Sequence, residues 1–427
     1  MGNNNFDVIV VGGGPAGILA AGNAANQGAS VLLLEKMEKP ARKLRITGKG
    51  RCNITNTKPM EEFLHEVFPE PRFLRDAFNE FFSDDIISLL NNQGVETIVE
   101  RGQRVFPKSG KARDVAEGLV KWAKGEGVVF KTNARVEKVN VKDGSIVSIT
   151  YEDMTGKVNE TVSCKAIILA TGGKSYPATG STGDGYSLAE NCGHTIVNLR
   201  PVLVGVETKQ KLDQADGLTL KNVSLSLKIN EKNIASEFGE LEITKYGFSG
   251  PIVLKLSRLI VDYLLQGIKP LLHLDLKPAL DHNKLDARLQ REIEESPRIA
   301  VVDLARRLLP KDLAIFMVED LGLAAQKNLA RLTANERKSI RMWLKELQFT
   351  VNASRQWDEA IVTAGGVSLK EIDPHTMESK IVKGLFFAGE VIDIDASTGG
   401  YNLQVAYSTG WLAGKSAAKK IFRFSSK

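Results

Sequence analysis

The sequence predicts an α/β fold, a three-layer parallel sheet with helices on its faces, interrupted by an inserted β-rich module and a small helical module. Three observations predict it. The chain opens on strand, glycine turn, helix and strand; two further apolar strands ending in glycine turns lie far downstream; and the stretch between them changes to alternating segments and then to helical periodicity.

The opening stretch FDVIVVGGGPAGILAAGNAANQGASVLLLEK begins with a β-branched run at 6–11, the size of a buried parallel strand. An Ala-rich helix follows over 18–27, with Gly28 placed to end it, and 31–34 form the next strand. Gly12, Gly14 and Gly17, with Pro15 and Ala16 among them, fall at the strand-to-helix turn in the G-x-G-x-x-G spacing. There the missing side chains let backbone N–H groups and a helix N-terminus approach a pyrophosphate. Glu35, followed by Lys36, ends the second strand, where an acid accepts hydrogen bonds from adenosine ribose hydroxyls. A bare G-x-G-x-x-G arises by chance in glycine-rich turns. With strand, helix, strand and terminal acid in register it reads as a Rossmann-like dinucleotide site.

KAIILATGG at 165–173 and GLFFAGEVID at 384–393 are the two downstream strands. Ligands lie beyond the carboxyl ends of such strands, and a chain that returns at its end to the first sheet suits a cofactor longer than NAD, which points to FAD. Taken alone, these segments read equally as sheet strands with turn glycines. Segments such as VSLSLKI and HLDLK read as strands of a β-rich module, whereas LDARLQREIEE, IAVVDLARRLL, DLAIFMVEDL and ANERKSIRMWLKEL read as helices. The expected organisation is an FAD-binding domain over 1–197, a barrel-like insertion over 198–280, a helical insertion over 281–350 and the rest of the FAD-binding domain over 351–427.

The chain has 427 residues, 43% hydrophobic and 25% charged, the balance of a globular protein with room for several domains. A net charge of +6 with a pI near 9.0 permits an acidic partner without requiring one. The helical module carries no cationic stripe and the chain no aromatic-basic interleaving, so nucleic acid is not the favoured partner. Cys52, Cys164 and Cys192 are too scattered for a disulfide framework or a C-x-x-C site, and the five histidines lack partners at metal-ligand or triad spacing. No metal is expected. No leader precedes the first strand, and no apolar run reaches the roughly 20 residues of a membrane span. The reading is a cytoplasmic protein without membrane insertion.

Several long motifs occur in order: VVGGGPAG, RKLRITGKGRCNITN, GQRVFPKSGKA, LATGGKSYPATGSTGDGY, TKYGFSGP and GLFFAGEVIDIDASTGGYNLQVAYSTG. Together they resemble the YhiN/BaiN-like family of FAD-dependent oxidoreductases and, more distantly, the flavoprotein subunits of succinate dehydrogenase and fumarate reductase. The resemblance spans nearly the whole chain. It implies noncovalent FAD and a flavin-facing pocket capped by the insertion, and it leaves the substrate open.

KPARKLRITGKGRCNITN at 39–56 carries six basic side chains and no acid. A loop that follows Glu35 passes the diphosphate and then the flavin, so Arg42 and Lys43 can neutralise phosphate while Gly48 and Gly50 let backbone approach the ring. Arg51, Cys52 and Asn53 then lie beside the isoalloxazine, with Cys52 read as a small buried neighbour rather than a redox thiol. By resemblance, Val136 holds adenine through its backbone; Ala170, Thr171 and Gly172 line the cofactor; and Gly183 and Asp184 support the same region. Gly389 and Glu390 stand where related proteins place Gly-Asp against the ribityl chain, with Asp393 as a second candidate. Gly400, Tyr401, Asn402 and Leu403 open an apolar-periodic helix whose first N–H groups aim at flavin O2.

Hydride chemistry falls to flavin N5, and the candidates for a proton donor are Tyr246, then Lys245 and Arg51. The resembled family more often has His where Lys245 stands. No second G-x-G-x-x-G exists, so NADH or NADPH is expected only as a transient co-substrate. The expected activity is oxidation or reduction of a small organic substrate. The rival readings are an RNA-modifying flavoprotein and a flavin-dependent binding or sensor protein without turnover.

Overall fold

The structure, a computed structural model, describes residues 5–425. The chain divides into two compact units, one made of residues up to Arg200 and from Ile361 onward, the other Pro201–Ala360.

The central strands of the first unit are parallel. Asn5–Val11 lies between Val31–Leu34 and Val158–Leu169, while Val129–Lys131 flanks the second of these and Leu385–Phe387 the third. Val8–Val11, Val31–Leu34, Ile167–Leu169 and Leu385–Phe387 are buried, as expected where both faces of a sheet are covered, whereas Val129 and Val158 at the sheet's margins are exposed. The register aligns the strand ends: Val11 is opposite both Leu34 and Leu169, and Leu169 is opposite Phe387. Four exits of the chain thus open along one line at the carboxyl edge, where folds of this kind bind ligands. The strand expected around KAIIL starts earlier, at Val158, and its polar first half pairs antiparallel with Ser145–Asp153.

The second unit is built on a closed antiparallel barrel. Its strands run in the order Val206–Thr208, Gly247–Ser249, Lys232–Thr244, Thr219–Ile229, Leu271–Asp275 and Leu347–Ser354, the last pairing back onto the first. Closure leaves no unpaired edge. Helices His282–Glu295, Val301–Leu308, Lys311–Asp320 and Ala334–Lys345 enter between the last two of these strands, and their apolar faces share one core with the barrel. The closing strand runs across residue 350 because it must pair on both sides, with Val206–Thr208 and Leu271–Asp275. Among the described residues no helix is long and apolar enough to cross a membrane.

In the first unit, helix Pro15–Asn26 is buried from Ala16 to Ala24, which its small residues make possible. The C-terminal helix Tyr401–Ser425 crosses it in backbone contact. A Cβ on Gly410 would stand 2.2 Å from the carbonyl oxygen of Ala16, and one on Gly414 2.2 Å from that of Ala20. Positions four apart share a helix face, so each helix presents a matched pair of small residues to the other. Gly410→Ala should lower the thermal unfolding midpoint, since overpacking costs about 1–3 kcal/mol. Gly125→Ala, where a methyl would meet nothing within 4 Å, should leave it unchanged or slightly raised. Equal midpoints for the two variants would mean that the helices part without penalty.

Candidate functional site

The glycine turn is held by backbone contacts. Gly12 has φ +103° and donates its N–H to the Leu34 carbonyl at 2.8 Å, and a Cβ there would stand 2.5 Å from the Ala170 carbonyl oxygen. A Cβ on Gly17 would stand 1.9 Å from the Gly12 carbonyl oxygen. Gly14 differs: a side chain there would meet nothing within 4 Å, and no side chain caps the helix that begins at Pro15. An uncapped helix start beside open space is the arrangement that accepts a diphosphate. Thr171, whose Cα a Gly12 side chain would also strike, has a buried hydroxyl without a partner. These residues fit a dinucleotide.

Glu35 ends the second strand with both carboxylate oxygens fixed. The Gly13 N–H donates to Oε2 at 2.7 Å and the Met37 N–H to Oε1 at 2.8 Å. Burial nevertheless pushes the Glu35 carboxyl above the usual range, outweighing those two donors. Ala134 donates its N–H to the Glu35 carbonyl at 2.9 Å, which brings the strand carrying Val136 alongside. Lys36 pairs with Asp184 at 2.6 Å and also donates to Thr182. Asp184 opens a helix capped by Gly183, so Glu35, Lys36, Val136, Gly183 and Asp184 form one neighbourhood.

The basic loop divides its charges. Arg42 is exposed and makes no ion pair among the described residues, although its charge is felt at Glu35. Lys43 instead donates to Ser175 Oγ at 2.7 Å and to Glu390 Oε2 at 2.8 Å. The other Glu390 oxygen accepts from Ser175 Oγ at 3.0 Å and from the Thr363 N–H at 2.8 Å. The carboxylate expected to face a ribityl chain is therefore engaged by protein partners. Gly389 donates its N–H to Thr409 Oγ1 at 2.9 Å, and Asp393 donates its N–H to the Val367 carbonyl at 3.0 Å.

Gly48 and Gly50 are exposed with positive φ. Arg51 pairs with Glu100, and its guanidinium lies 4.4 Å over the Phe106 ring. Cys52 is buried with φ +58°, and burial pushes its thiol up to about 12, so it stays protonated and inert. In the amide orientation that satisfies both of its atoms, Asn53 donates to the Thr55 carbonyl at 3.2 Å and accepts from the Gly400 N–H at 3.0 Å. That contact joins the loop to the start of the C-terminal helix. There Asn402 braces the preceding loop, accepting from the Ala396 N–H at 2.8 Å and donating to its carbonyl at 2.7 Å. Tyr401 is buried edge-on against Phe63, with ring centroids 4.7 Å apart, and Leu403 packs part-buried against the core.

Tyr246 and Lys245 lie in the other unit, in the tight turn between Lys232–Thr244 and Gly247–Ser249. They line a cavity of about 280 Å³ together with Gly205, Thr244, Phe248, Arg355 and Glu359 among others. Arg355, which the sequence reading passed over, has its guanidinium 3.8 Å over the Tyr246 ring and is gripped by Glu207 at 2.5 Å and Glu359 at 2.9 Å. Those carboxylates push its already high pKa higher still. Lys245 Nζ is 5.0 Å from the same ring centroid.

Sequence spacing also missed a buried histidine relay. His194 Nε2 shares a hydrogen bond with Ser379 Oγ at 2.9 Å, and Nδ1 lies 3.2 Å from Glu371. It resembles a hydrolytic triad only in composition. Ser379 Oγ accepts from the N–H groups of Ile381 and Val382 at 3.0 and 2.8 Å, which makes it a buried turn cap rather than a nucleophile. No signal in the linear sequence marks this set or Arg355. Ser175 does sit inside one of the motifs, just after the Gly172–Gly173 turn, whereas Thr363 lies outside all of them.

Parallel strands ending on a glycine turn, an acid at the second strand and an uncapped helix start define an FAD-type dinucleotide-binding oxidoreductase. The sequence matches the HI0933-like protein Rossmann domain over residues 6–416, and the chain belongs to that family of FAD-binding oxidoreductases. It is 30% identical over 413 residues to the 3-dehydro-bile acid delta(4,6)-reductase of Clostridium scindens, covering 96% of this chain and 98% of that one. It is 31% identical over 419 residues to a ribosomal RNA dihydrouridine synthase of Haemophilus influenzae, covering 96% and 98%. Its fold is similar to that of the 3-ketosteroid delta1-dehydrogenase of Sterolibacterium denitrificans, with a TM-score of 0.54 at 13% identity, covering 98% of this chain and 100% of that one.

The Lys43 tether has a measurable consequence. Lys43→Met and Glu390→Gln should each weaken FAD binding, and the double variant should fall short of their sum by about 1 kcal/mol or more, as residues in one network do. FAD titration of the four apoproteins checks it; strict additivity would mean that Lys43 meets the cofactor independently of Glu390.

Proposed function

We propose that this protein is a reductase of carbon–carbon double bonds conjugated to a carbonyl, acting on a small organic substrate. The observation that carries the proposal is chemical: two relatives matched over nearly their whole length have names denoting different substrates but one reaction type. A delta(4,6)-reductase acting on a 3-dehydro steroid saturates a double bond conjugated to a ketone, and a dihydrouridine synthase saturates the uracil bond conjugated to a carbonyl.

When bound, FAD supplies hydride from its reduced form, and NADH or NADPH, binding transiently, restores that form. The chain's own residues supply the rest. The uncapped helix start at Pro15 and exposed Arg42 take the diphosphate, and Glu35 takes the ribose hydroxyls. Cys52, wholly buried and kept neutral, supports the loop from within rather than touching the ring. The Gly400 N–H is taken by Asn53, so donors toward the cofactor come from the helix residues after it. Among the chain's own residues Tyr246 would be the donor of the proton that completes saturation, and solvent would reprotonate it. Lys245 supports this as a nearby cation, whereas Arg51, held by Glu100 and Phe106, is the weaker candidate.

Modification of RNA is the second reading, favoured only by the names of relatives from Haemophilus influenzae and Escherichia coli. In the helical stretch, Arg307 pairs with Glu292, Arg337 with Asp286, Lys327 with Glu336 and Lys345 with Asp275, which leaves less free charge for a phosphate backbone.

The test is anaerobic stopped-flow reoxidation of the reduced holoprotein by conjugated enones, by uridine and by ribosomal RNA, with products identified by mass spectrometry. Rapid reoxidation with formation of the dihydro product from an enone is expected; reoxidation by RNA alone would replace this reading with the second, and by neither would remove both. Tyr246→Phe should retain FAD and its rate of reduction by the nicotinamide donor, while the substrate half-reaction slows about 100- to 10,000-fold, the usual worth of a general acid. A loss of only a few-fold would make Tyr246 a packing residue.

A further inference from the structure

The hairpin of Thr97–Glu100 and Arg104–Pro107 lies wholly within the first unit and carries charge that the reaction above leaves unused. Glu100 and Arg104 are paired directly across its two strands, and Phe106 stands two residues beyond Arg104, so the three side chains share one face. Arg51 lies on that face, its guanidinium paired to Glu100 and 4.4 Å from the centroid of the Phe106 ring. Arg104 lies on it too, 5.7 Å from the same centroid, with Nε donating to the Arg101 carbonyl at 3.0 Å. Two guanidinium groups thus gather on one buried ring, and a single carboxylate answers them.

The positive charge is in surplus. Among the described residues Arg104 forms no ion pair, and neither does exposed Arg101 at the hairpin turn nor exposed Lys49 in the loop that supplies Arg51. Glu96, just before the hairpin, is engaged by Lys108 at 2.6 Å. Lys49, Arg51, Arg101 and Arg104 therefore stand against Glu100 alone, an arrangement whose mutual repulsion an anion would relieve. Arg104 is held in place to meet one. A Cβ on Gly102 would lie 4.0 Å from its Nε, so the side chain curls back over the turn. Its two terminal nitrogens stay available, in the planar fork that matches a phosphate with two parallel hydrogen bonds.

The place of the turn narrows the choice of anion. Asn56 Nδ2 donates to the Gly102 carbonyl at 3.0 Å and to the Gly399 carbonyl at 3.1 Å, which stitches the hairpin turn to the residue before the Gly400 helix start. The FAD diphosphate is assigned to the other helix start, at Pro15, so a phosphate held at the hairpin belongs to a second molecule. In the function proposed above that molecule is the nicotinamide donor. NADPH differs from NADH by one phosphate, on the 2′ position of its adenosine ribose, and a surplus of fixed cations discriminates between the two.

We infer that the arginine hairpin binds the 2′-phosphoadenosine end of NADPH, with Arg104 and Arg101 as the residues that select it over NADH. The inference rests on the reading that a nicotinamide donor reduces the flavin, but the phosphate recognition is measured apart from turnover. Both arginines bind, and neither exchanges an atom.

The experiment titrates the FAD-loaded protein by calorimetry with adenosine 2′,5′-bisphosphate, its 3′,5′ isomer and adenosine 5′-monophosphate. The 2′,5′-bisphosphate should bind at least about tenfold more tightly than the monophosphate, some 1.4 kcal/mol, and its affinity should fall as salt rises. Arg104→Gln should weaken the 2′,5′-bisphosphate at least about tenfold while monophosphate binding and FAD content stay at the wild-type level. In stopped-flow reduction of the flavin it should raise the half-saturating NADPH concentration by a similar factor and leave the limiting rate unchanged, a split that general loss of structure would not give. Arg101→Gln, whose side chain has no described partner to lose, should act in the same direction to a smaller extent, and it serves as the test if Arg104→Gln does not fold. Equal binding of the 2′,5′-bisphosphate and the monophosphate, tighter binding of the 3′,5′ isomer, or wild-type affinity in both variants would overturn the assignment. The stated binding preference without flavin reduction by either nicotinamide would uphold the phosphate site and remove the donor from the function proposed above.

Discussion

The first unit depends on backbone pressed against backbone at its glycine turn. Gly17 lies on the Gly12 carbonyl, and Gly12, with its positive φ, lies on the Ala170 carbonyl, each at a distance no side chain would allow. Gly389 closes the set, since a Cβ there would stand 2.7 Å from the Ala16 side chain. The exits of three parallel strands and the start of the first helix are thereby drawn together. Loops that leave those exits have short distances left to cross, and the polar tethers between them follow from this. Glu390 reaches Lys43, Ser175 and the Thr363 backbone only because Phe387 and Leu169 end in register. Among these contacts Gly14 stays open, so the same packing that excludes side chains elsewhere leaves the helix start accessible.

The charge of the 39–56 loop shows where local reading stops. The segment contains no acid, and that made an external anion the natural partner. Three of its cations meet acids from distant positions: Lys43 meets Glu390 at 2.8 Å, Arg45 meets Glu117 at 3.5 Å, and Arg51 meets Glu100. These are not equal. Arg45 and Glu117 meet at the longer distance with Glu117 about half exposed, an arrangement in which a single pair adds little. Lys43 and Glu390 are each about one-fifth exposed and share further hydrogen bonds with Ser175 and Thr363, so their loss would leave polar groups stranded. Arg42 remains the loop's cation next to Glu35 and the open turn, and the electrostatic case for a bound diphosphate rests more on it than on its neighbour.

What was legible in the sequence is what depends on short-range geometry. The glycine spacing, the acid at the end of the second strand and the strand around Leu169 follow from local steric rules and hydrophobic runs, and each stands where those rules put it. The start of that strand at Val158 was not visible because its first half is polar and gains its place from pairing with Ser145–Asp153. Arg355 was not visible for a related reason. Nothing near it in the chain distinguishes it from a surface arginine, and its meaning comes from Glu207 and Tyr246, which the barrel brings to it. His194 with Ser379 and Glu371 repeats the lesson from the opposite side, because a set that could have suggested hydrolysis proves to be a buried turn cap.

The barrel also explains how a residue at a strand turn can act with precision. Lys245 and Tyr246 form a two-residue connection, with Thr244 paired directly to Gly247, so the turn has little slack. The strands it joins belong to a closed barrel, which cannot splay at an edge, and Phe248 immediately after the turn is buried edge-on against Phe349. A side chain on a long loop would need ligand binding to order it. Tyr246 is ordered beforehand by a closed sheet below, a pinned carbonyl behind and a guanidinium on its face, although 37% of its surface remains exposed. Pre-ordering of this kind reduces the entropy lost when a substrate is engaged. It would tie the proposed proton-donor role of Tyr246 to the integrity of the barrel rather than to the chemistry of the turn alone.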